Sequence, residues 1–251
     1  MISNDLQTVY LVERDRFMLE SIEVTKKFLS KTAVDKISMK LEPGHIYALL
    51  GPNGSGKTTW MKMVTGLIKP SAGYIMYNGA PIGIPSRREI AYMATEPYFY
   101  DWMTIESVGK YYQDFFEDFS MDKYHMILNR MELDRSLKTK NLSSGMMAKL
   151  KVAVTMAREA KVYLLDEPLN GIDLIARDDV MQAMIENARE DNMLIISSHL
   201  VEELESVVDS AIFIKNAQLA GIYNIDELRQ NEGKSVADKY REIFGHAGGE
   251  Y

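Results

Sequence analysis

Apolar and polar residues alternate along the first part of the chain. Between residues 18 and 41, short apolar runs are separated by polar positions with a period of two, which is typical of half-buried strands. This pattern predicts an antiparallel layer at the edge of the fold. Residues 46–50 are continuously apolar, and a glycine-rich loop and a helical pattern over 58–67 follow them. We predict a buried strand, a loop and a helix in that order, with a further strand over 72–77.

The pattern changes beyond residue 97. Between 97 and 160 there are few strand-like runs, and helical patterns cover 105–116, 123–131 and 145–160. We therefore predict an all-helical insert.

Strand and helix patterns alternate after this insert. Strands are predicted over 162–165, 194–197 and 211–214, and helices over 175–189 and 201–207. Alternation of this kind predicts a largely parallel sheet. The rest of the chain is predicted to form one or two polar helices and a glycine-rich tail.

Composition excludes several classes of protein. Of the 251 residues 46% are hydrophobic and 26% charged, as expected for a packed core. The chain has no cysteine, which excludes disulfide scaffolds and thiolate metal sites. No apolar run is long enough to span a bilayer, and the N-terminus shows no signal-peptide pattern. A net charge of −7 disfavours a general nucleic-acid binder.

The glycine-rich loop has the sequence GPNGSGKT, residues 51–58, and matches the phosphate-loop motif GxxxxGK[ST]. Its backbone N–H groups and the helix N-terminus are expected to hold the phosphates of a nucleotide. Lys57 is expected to reach the β- and γ-phosphates, and the Thr58 hydroxyl to bind Mg²⁺. A glycine-rich turn with a chance Lys-Thr pair is the alternative, disfavoured by the flanking strand and helix. The predicted nucleotide-binding residues are Gly51, Asn53, Gly54, Ser55, Gly56, Lys57, Thr58 and Thr59.

Two adjacent carboxylates follow the predicted strand 162–165. Ligands collect at the carboxyl ends of strands in open α/β sheets. We expect Asp166 to hold Mg²⁺ and Glu167 to polarise the water that attacks the γ-phosphate. An acidic strand end alone is more often a solvated turn, but the phosphate loop favours the catalytic interpretation.

With these motifs the sequence resembles the nucleotide-binding subunit of ABC transporters, from about residue 18 to about residue 222. The segment NLSSGM, residues 141–146, is similar to the family signature LSGGQ, although Ser144 replaces a glycine and Met146 the glutamine. The resemblance implies that Ser143, Ser144 and Gly145 close over the γ-phosphate of an ATP bound by a second subunit. An ordinary serine helix cap is the alternative for this segment.

Further positions carry roles implied by the resemblance. His199 matches the switch histidine that contacts the γ-phosphate, Asp173 the carboxylate of the loop that communicates across the dimer, and Phe28 the aromatic residue that stacks on adenine. His199 and Phe28 could instead be structural residues. Thr95, with Glu96 beside it, stands where the family has a glutamine that touches Mg²⁺. Either oxygen could bind the metal, but neither reproduces the amide's donor and acceptor pair.

An aromatic patch opens the helical insert, with the sequence YFYDW at residues 98–102. The resemblance implies that this surface meets the membrane subunit; alternatively, the same residues form the core of the insert. The 17 methionines are expected to be core filling.

These observations predict an α/β fold: a P-loop NTPase core with a mostly parallel sheet, an antiparallel β edge layer and an inserted α-helical subdomain. The predicted divisions are an N-terminal arm (1–17), the ATP-binding core with the phosphate loop (18–96), the helical subdomain with the signature (97–160), the remainder of the core (161–222) and a C-terminal helical extension (223–251).

The resemblance implies an ATPase that uses ATP and Mg²⁺ and pairs with a second ATP-binding subunit, identical or different. It would drive an integral-membrane permease from the cytoplasmic face of the membrane. The short chain is most like the drug, lantibiotic or peptide exporter branch. A solute-importer ATPase is the nearer alternative, and a soluble ABC-type ATPase acting on ribosomes or DNA is another; no nucleic-acid partner is expected. A kinase or GTPase would not account for the signature segment.

Overall fold

The structure, a computed structural model, describes residues 19–96, 98–199 and 201–245. The chain forms two compact units: one contains residues up to 87 and from 199 onward, and the other contains 88–198. The predicted arm, 1–17, lies outside the described residues. The domain boundaries predicted from the sequence stay predictions.

The described part of the chain contains ten strands and nine α-helices. In chain order the strands are β1 Leu19–Phe28, β2 Lys31–Leu41, β3 Ile46–Leu50, β4 Ala72–Tyr77, β5 Ala80–Pro81, β6 Ile90–Met93, β7 Val162–Asp166, β8 Met193–Ser198, β9 Ser210–Lys215 and β10 Gln218–Asn224. The helices are α1 Lys57–Val64, α2 Ile84–Glu89, α3 Ile105–Phe115, α4 Met121–Arg130, α5 Ser144–Met156, α6 Leu174–Ile185, α7 Val201–Leu204, α8 Ile225–Glu227 and α9 Val236–Phe244.

The first unit contains the predicted antiparallel layer. Strand β1 pairs antiparallel with β2 and β4, so that Ser21 lies opposite both Met39 and Ile75. Strand β3 is buried along its whole length and pairs parallel with β9, and β9 pairs antiparallel with β10. The indole N–H of Trp60 in α1 donates to the Ser21 hydroxyl at 3.0 Å, which bonds this helix to the edge layer.

The second unit contains three parallel strands and the helical insert. Strand β7 pairs with β6 on one side and β8 on the other, and all five of its residues are buried. Helix α3 begins at a capping box formed by Thr104 and Ser107, and at the start of α4 the Ser120 hydroxyl accepts the N–H of Lys123. These caps satisfy N–H groups that the first turn of a helix leaves unpaired.

Several boundaries differ from the sequence prediction. Strand β6 is not among the strands predicted from the sequence, although its apolar residues pair with β7 and are largely buried. Helix α5 ends at Met156, since the N–H of Glu159 donates to the Asp118 carbonyl at 2.9 Å instead of to a carbonyl of the helix. Strand β10 is absent from the prediction. None of the described helices has the length and apolar character that a bilayer crossing needs.

Candidate nucleotide site

The phosphate loop joins β3 to α1, and its glycines lie against neighbouring backbone. Gly51 has a φ of 154°, and a Cβ there would lie 2.3 Å from the Ile214 carbonyl oxygen. Gly56 has a φ of 117°, and its Cβ would lie 2.4 Å from the Ala33 carbonyl oxygen. Both distances are shorter than any real Cβ contact. Only glycine therefore fits at these two positions.

Polar groups of this loop are arranged for an anion. Lys57 is buried, and its ammonium donates to the Gly51 carbonyl at 2.6 Å and to the Pro52 carbonyl at 3.4 Å. The buried Ser55 hydroxyl has no hydrogen-bond partner among the described residues. Gly56 precedes α1 and has no side chain with which to cap it. An orphan hydroxyl at an uncapped helix start fits a phosphate group.

Two other predicted nucleotide contacts lie in the same unit. Phe28 ends β1 with 47% of its surface exposed, so it is not a core residue. The Lys26 ammonium lies 5.0 Å from its ring centroid. His199 follows β8 in the chain and is exposed. It lines a cavity of about 280 Å³. The other residues lining this cavity are Val201, Glu202, Glu203, Ala237, Tyr240 and Arg241.

In the second unit, Asp166 is the last residue of β7 and is fully buried. Its Oδ1 accepts a hydrogen bond from the Ser197 hydroxyl at 2.7 Å, and the Tyr92 hydroxyl oxygen lies 3.5 Å from its Oδ2. Burial first, and the Asp166 charge second, raise the pKa of Tyr92 well above its usual value. Tyr92 therefore remains a protonated donor beside this carboxylate.

Glu167 departs from strand geometry immediately after Asp166. Its φ is 53°, in the left-handed region that glutamate rarely adopts, at a cost of about 1–3 kcal/mol. Its N–H donates to the Ser197 hydroxyl at 3.0 Å and lies 3.2 Å from the Ser197 carbonyl oxygen. Ser197 thus bonds to both members of the acidic pair. Strained residues of this kind cluster at functional sites.

Thr95 and Glu96 lie in the loop after β6. The Thr95 hydroxyl oxygen is 3.5 Å from the Asp166 carbonyl oxygen, so this residue lies at the end of β7. The Lys151 ammonium donates to the Thr95 carbonyl at 2.7 Å and to the Ala94 carbonyl at 3.0 Å. Lys151 is not among the site residues predicted from the sequence. The sequence signal that could identify it is a lysine between apolar residues of a helical segment.

The signature segment starts α5. The Ser143 hydroxyl accepts the N–H of Met146 at 3.2 Å, which makes Ser143 the N-cap of the helix. The same hydroxyl keeps its proton for donation to an anion, and the residue is exposed. A Cβ on Gly145 would lie 2.8 Å from the Gly171 carbonyl oxygen. This close contact brings the signature against the loop that contains Asp173.

Asp173 caps the next helix. Its Oδ1 accepts the N–H of Ala176 at 3.0 Å at the start of α6. In the described part of the chain, no group of three or more histidine or acidic side chains could hold a metal ion. A Mg²⁺ site does not need such a group, because Mg²⁺ commonly binds one or two carboxylates together with the phosphates of the substrate.

Comparison with known proteins assigns the family. A profile of the ABC transporter family matches residues 34–170. The ABC transporter ATP-binding protein YtrB of Bacillus subtilis is 30% identical over 216 residues, which cover 85% of this chain and 74% of YtrB. The chain belongs to the ABC transporter family. It is an ATP-binding subunit of that family, and such subunits are ATPases.

Other relatives agree with this assignment. The lantibiotic transport ATP-binding protein SrtF of Streptococcus pyogenes is 30% identical over 224 residues, covering 86% of this chain and 97% of SrtF. A solved ATP-binding subunit of an ABC transporter superposes with a TM-score of 0.80 at 25% identity, over 90% of this chain and 99% of that one. A dimeric ATP-binding cassette bound to ADP and phosphate shares the fold, with a TM-score of 0.73 at 19% identity over 82% and 98% of the two chains.

The helical insert of this ABC subunit carries an aromatic surface, defined here as Tyr98, Phe99, Tyr100, Trp102, Tyr111 and Phe115. Tyr100 and Trp102 stack with ring centroids 5.9 Å apart, and they are 59% and 67% exposed. Part of the surface lines a cavity of about 320 Å³. Phe119 and Tyr124 of the same insert are buried, and their ring centroids lie 5.6 Å apart. The aromatic residues of the insert therefore supply both an exposed face and a core.

Methionines fill the core, as expected. Ten of them are buried: Met39, Met61, Met63, Met93, Met103, Met131, Met156, Met181, Met184 and Met193.

Proposed function

We propose that this ABC subunit hydrolyses ATP to drive export of a drug, an antimicrobial peptide or a lipid-like substrate through a separate membrane-spanning protein. The observation that carries this proposal is the similarity to SrtF, a lantibiotic transport protein, over 97% of its length. ATP hydrolysis would provide the free energy for transport, and the membrane-spanning protein would provide the path of the substrate across the membrane.

The phosphate loop is proposed to bind the triphosphate. The close contacts at Gly51 and Gly56 and the orphan Ser55 hydroxyl support an anion here. Lys57 would exchange its carbonyl partners for phosphate oxygens and offset the charge that develops on the γ-phosphoryl group. The exposed ring of Phe28 would stack on adenine. Such stacking is typically worth about 1–3 kcal/mol.

Asp166, Thr95 and Glu96 in the second unit, and Thr58 in the first, are each proposed as an oxygen ligand of Mg²⁺, because hard oxygen ligands suit this ion. When bound, Mg²⁺ neutralises charge on the phosphate oxygens. The Ser197 and Tyr92 hydroxyls fix the orientation of the Asp166 carboxylate. Replacement of the family's glutamine by Thr95 removes an amide that both donates and accepts. We therefore expect slower turnover than in relatives with that glutamine.

Glu167 is proposed to accept the proton of the attacking water. Its left-handed backbone and the bond from its N–H to Ser197 support a fixed orientation of the carboxylate. His199 is proposed to donate a hydrogen bond to the γ-phosphate, and its exposure leaves the imidazole accessible. Both residues act on groups whose charge increases in the transition state.

The second subunit is proposed to complete the site. Ser143, Ser144 and Gly145 of a facing subunit would contact the γ-phosphate through hydroxyl and N–H groups at the start of α5. Asp173 would communicate between the two sites. The exposed Ser143 hydroxyl and the contact between Gly145 and Gly171 support this arrangement. The pair consists of two copies of this chain or of two related chains.

The aromatic surface is proposed to dock the permease at the cytoplasmic face of the membrane. Exposed Tyr and Trp side chains are enriched in protein interfaces. The large exposure of Trp102 and Phe115 supports this role.

The Glu167→Gln variant tests the proposed reaction. We expect ATP hydrolysis to fall by about 10²-fold or more while ATP binding persists, because the variant loses only the proton acceptor. Gel filtration with ATP should then show a stable dimer. Glu132→Gln is a matched control, since Glu132 has the same φ of 53° as Glu167 and is exposed. Retained turnover in Glu167→Gln would remove this residue from the proposed role.

Isolation from its native membrane tests the transport role. We expect the chain to co-purify with a polytopic membrane protein after mild detergent extraction. Uptake into inside-out vesicles containing both proteins would support export, and efflux from them would favour the importer alternative. Co-sedimentation with ribosomes, in place of the membrane protein, would contradict the proposal.

A further inference from the structure

Lys151 lies two turns into α5 from the signature. Its neighbours from Leu150 to Met156 are all buried, and Lys151 itself is only 6% exposed. Lysine is almost never buried to this extent unless its ammonium has partners. The other lysine of this helix, Lys149, is half-buried and donates to a single carbonyl, that of Met131, at 3.1 Å.

The partners of Lys151 all belong to one loop. Its ammonium donates to the carbonyls of Ala94 and Thr95, at 3.0 and 2.7 Å. Burial lowers the pKa of Lys151, whereas the nearby carboxylates of Asp166 and Glu96 act in the opposite direction and favour its charged form. The ammonium of Lys151 thus lies against the backbone of Thr95, one of the residues proposed to hold Mg²⁺.

The same loop also reaches the end of β7. The Thr95 hydroxyl oxygen is 3.5 Å from the Asp166 carbonyl oxygen, and Tyr92, just before the loop, is 3.5 Å from Asp166 Oδ2. Lys151 therefore bonds the helix that starts at the signature to the loop beside Asp166. Because it bonds to carbonyl oxygens, it can hold this loop whatever side chain occupies position 95.

We infer that Lys151 is a positioning residue for ATP hydrolysis. Its ammonium holds the loop at Thr95 and Glu96 so that their side-chain oxygens are presented beside Asp166. It also couples that loop to α5, whose first turn contacts the nucleotide of the facing subunit. This inference rests on the proposed function. The bonds from Lys151 compensate for the missing glutamine. They fix the backbone of the loop at position 95, whereas in relatives the glutamine amide itself would orient the group.

A purely structural lysine would have different consequences. If the ammonium only satisfied two buried carbonyls, its removal would lower stability without a specific effect on turnover or metal affinity. A positioning residue changes kcat and the affinity for the divalent ion while metal-free ATP binding is unchanged. Residues that orient metal ligands typically contribute about 10–100-fold to metal affinity or activity.

The test compares Lys151→Met, Lys151→Arg and the control Lys149→Met in the full chain. We expect Lys151→Met to lower kcat by about tenfold or more, with KM and metal-free ATP binding changed less than about twofold. In a Glu167→Gln background, Mn²⁺ affinity of the ATP complex, measured by electron paramagnetic resonance, should weaken by about fivefold or more. Lys151→Arg keeps the charge and should recover most of both losses, and Lys149→Met should behave as wild type.

Several outcomes would overturn the inference. These are a Lys151→Met variant with wild-type kcat or wild-type Mn²⁺ affinity, and equal losses in Lys149→Met. If Lys151→Met does not fold, Lys151→Arg decides: near-normal kcat and Mn²⁺ affinity support the inference, and lost turnover with unchanged Mn²⁺ affinity overturns it. A wild-type chain without ATPase activity in complex with its permease would instead overturn the proposed function.

Discussion

Arg158, just beyond α5, shows how a single side chain organises the second unit. Its guanidinium donates to the Asp118 carboxylate at 3.0 Å and to the carbonyls of Ile90 and Arg88 at 3.1 and 2.5 Å. It also lies 4.1 Å from the centroid of the Phe116 ring. Arginine is suited to such a site because its planar fork donates in several directions at once. The helical insert and the start of β6 are both bonded to this group.

Replacing Arg158 by methionine should be strongly destabilising. The variant removes the donor to the Asp118 carboxylate and to the carbonyls of Ile90 and Arg88, and breaking a buried pair in this way typically costs about 3–5 kcal/mol. We expect a loss of about 3 kcal/mol in the free energy of unfolding, measured by urea denaturation. Arg189→Met is the control, because Arg189 pairs with Glu159 on the surface and is 54% exposed. Its loss should be below about 1 kcal/mol. Equal effects of the two variants would contradict this account.

Lys57 offers a second prediction at the scale of one residue. Replacement by alanine removes the ammonium that bonds the loop carbonyls and is proposed to meet the phosphates. We expect ATP affinity to fall by about tenfold or more, corresponding to at least about 1.4 kcal/mol, in equilibrium dialysis. Lys62→Ala, in the last turn of the same helix, should bind ATP normally. Unchanged binding in Lys57→Ala would count against the phosphate loop as the nucleotide site.

At the scale of elements, local signals explain which parts of the fold are predictable. Thr104 and Ser120 begin α3 and α4 within two residues of the predicted starts, because a cap and the pattern it precedes are adjacent in sequence. Strand β10 is not predictable in the same way. Its turn places Asn216 and Ala217 at φ values of 51° and 69°, and alanine is an unusual residue for such a turn.

In the candidate site, too, the contiguous motifs are predictable from the sequence and the tertiary contacts are not. The phosphate-loop glycines and the acidic pair belong to contiguous motifs, so the sequence predicts them. The contact between Gly145 and Gly171, and the bonds of Lys151 to a loop 56 residues earlier, depend on tertiary packing. Sequence pattern identifies Lys151 as unusual, but only the packed structure shows what its ammonium contacts.

The aromatic surface is an element-scale feature with its own prediction. Trp102→Ala should reduce co-purification with the membrane partner by about tenfold, because exposed tryptophans dominate interface energies. The free energy of unfolding should change by less than about 0.5 kcal/mol, since the side chain is 67% exposed. Tyr74→Ala is the control, an aromatic residue of the other unit with 51% exposure. Unimpaired co-purification of Trp102→Ala would place the docking site elsewhere.

For the whole molecule, buried tyrosines set the response to alkali. Burial is the main cause that raises the pKa of Tyr163 to about 12 from a usual value of 10.0. Its hydroxyl donates to the Arg158 carbonyl at 2.7 Å and accepts the N–H of Ala160 at 3.0 Å. Burial raises the pKa values of Tyr47, Tyr92 and Tyr124 in the same direction.

The free energy of unfolding depends on pH because the folded and unfolded chains bind different numbers of protons. Between pH 10 and pH 12 the unfolded chain loses protons that the folded chain retains, so the free energy of unfolding falls as pH rises. Tyr163 alone should contribute a loss of roughly 2–3 kcal/mol over this window, measured by urea denaturation at each pH. Tyr163→Phe should be less stable at neutral pH but should show a shallower decline above pH 10. Parallel profiles for the two proteins would contradict the assignment.

The chain contains two tryptophans, and they occupy opposite environments. Trp60 is fully buried in the helix that starts at the phosphate loop, whereas Trp102 is 67% exposed on the aromatic surface. An aqueous quencher such as iodide will therefore quench the fluorescence of Trp102 but not that of Trp60. Intrinsic fluorescence then separates two events without any label: the quenchable part reports arrival of a partner, and the shielded part reports changes beside the nucleotide.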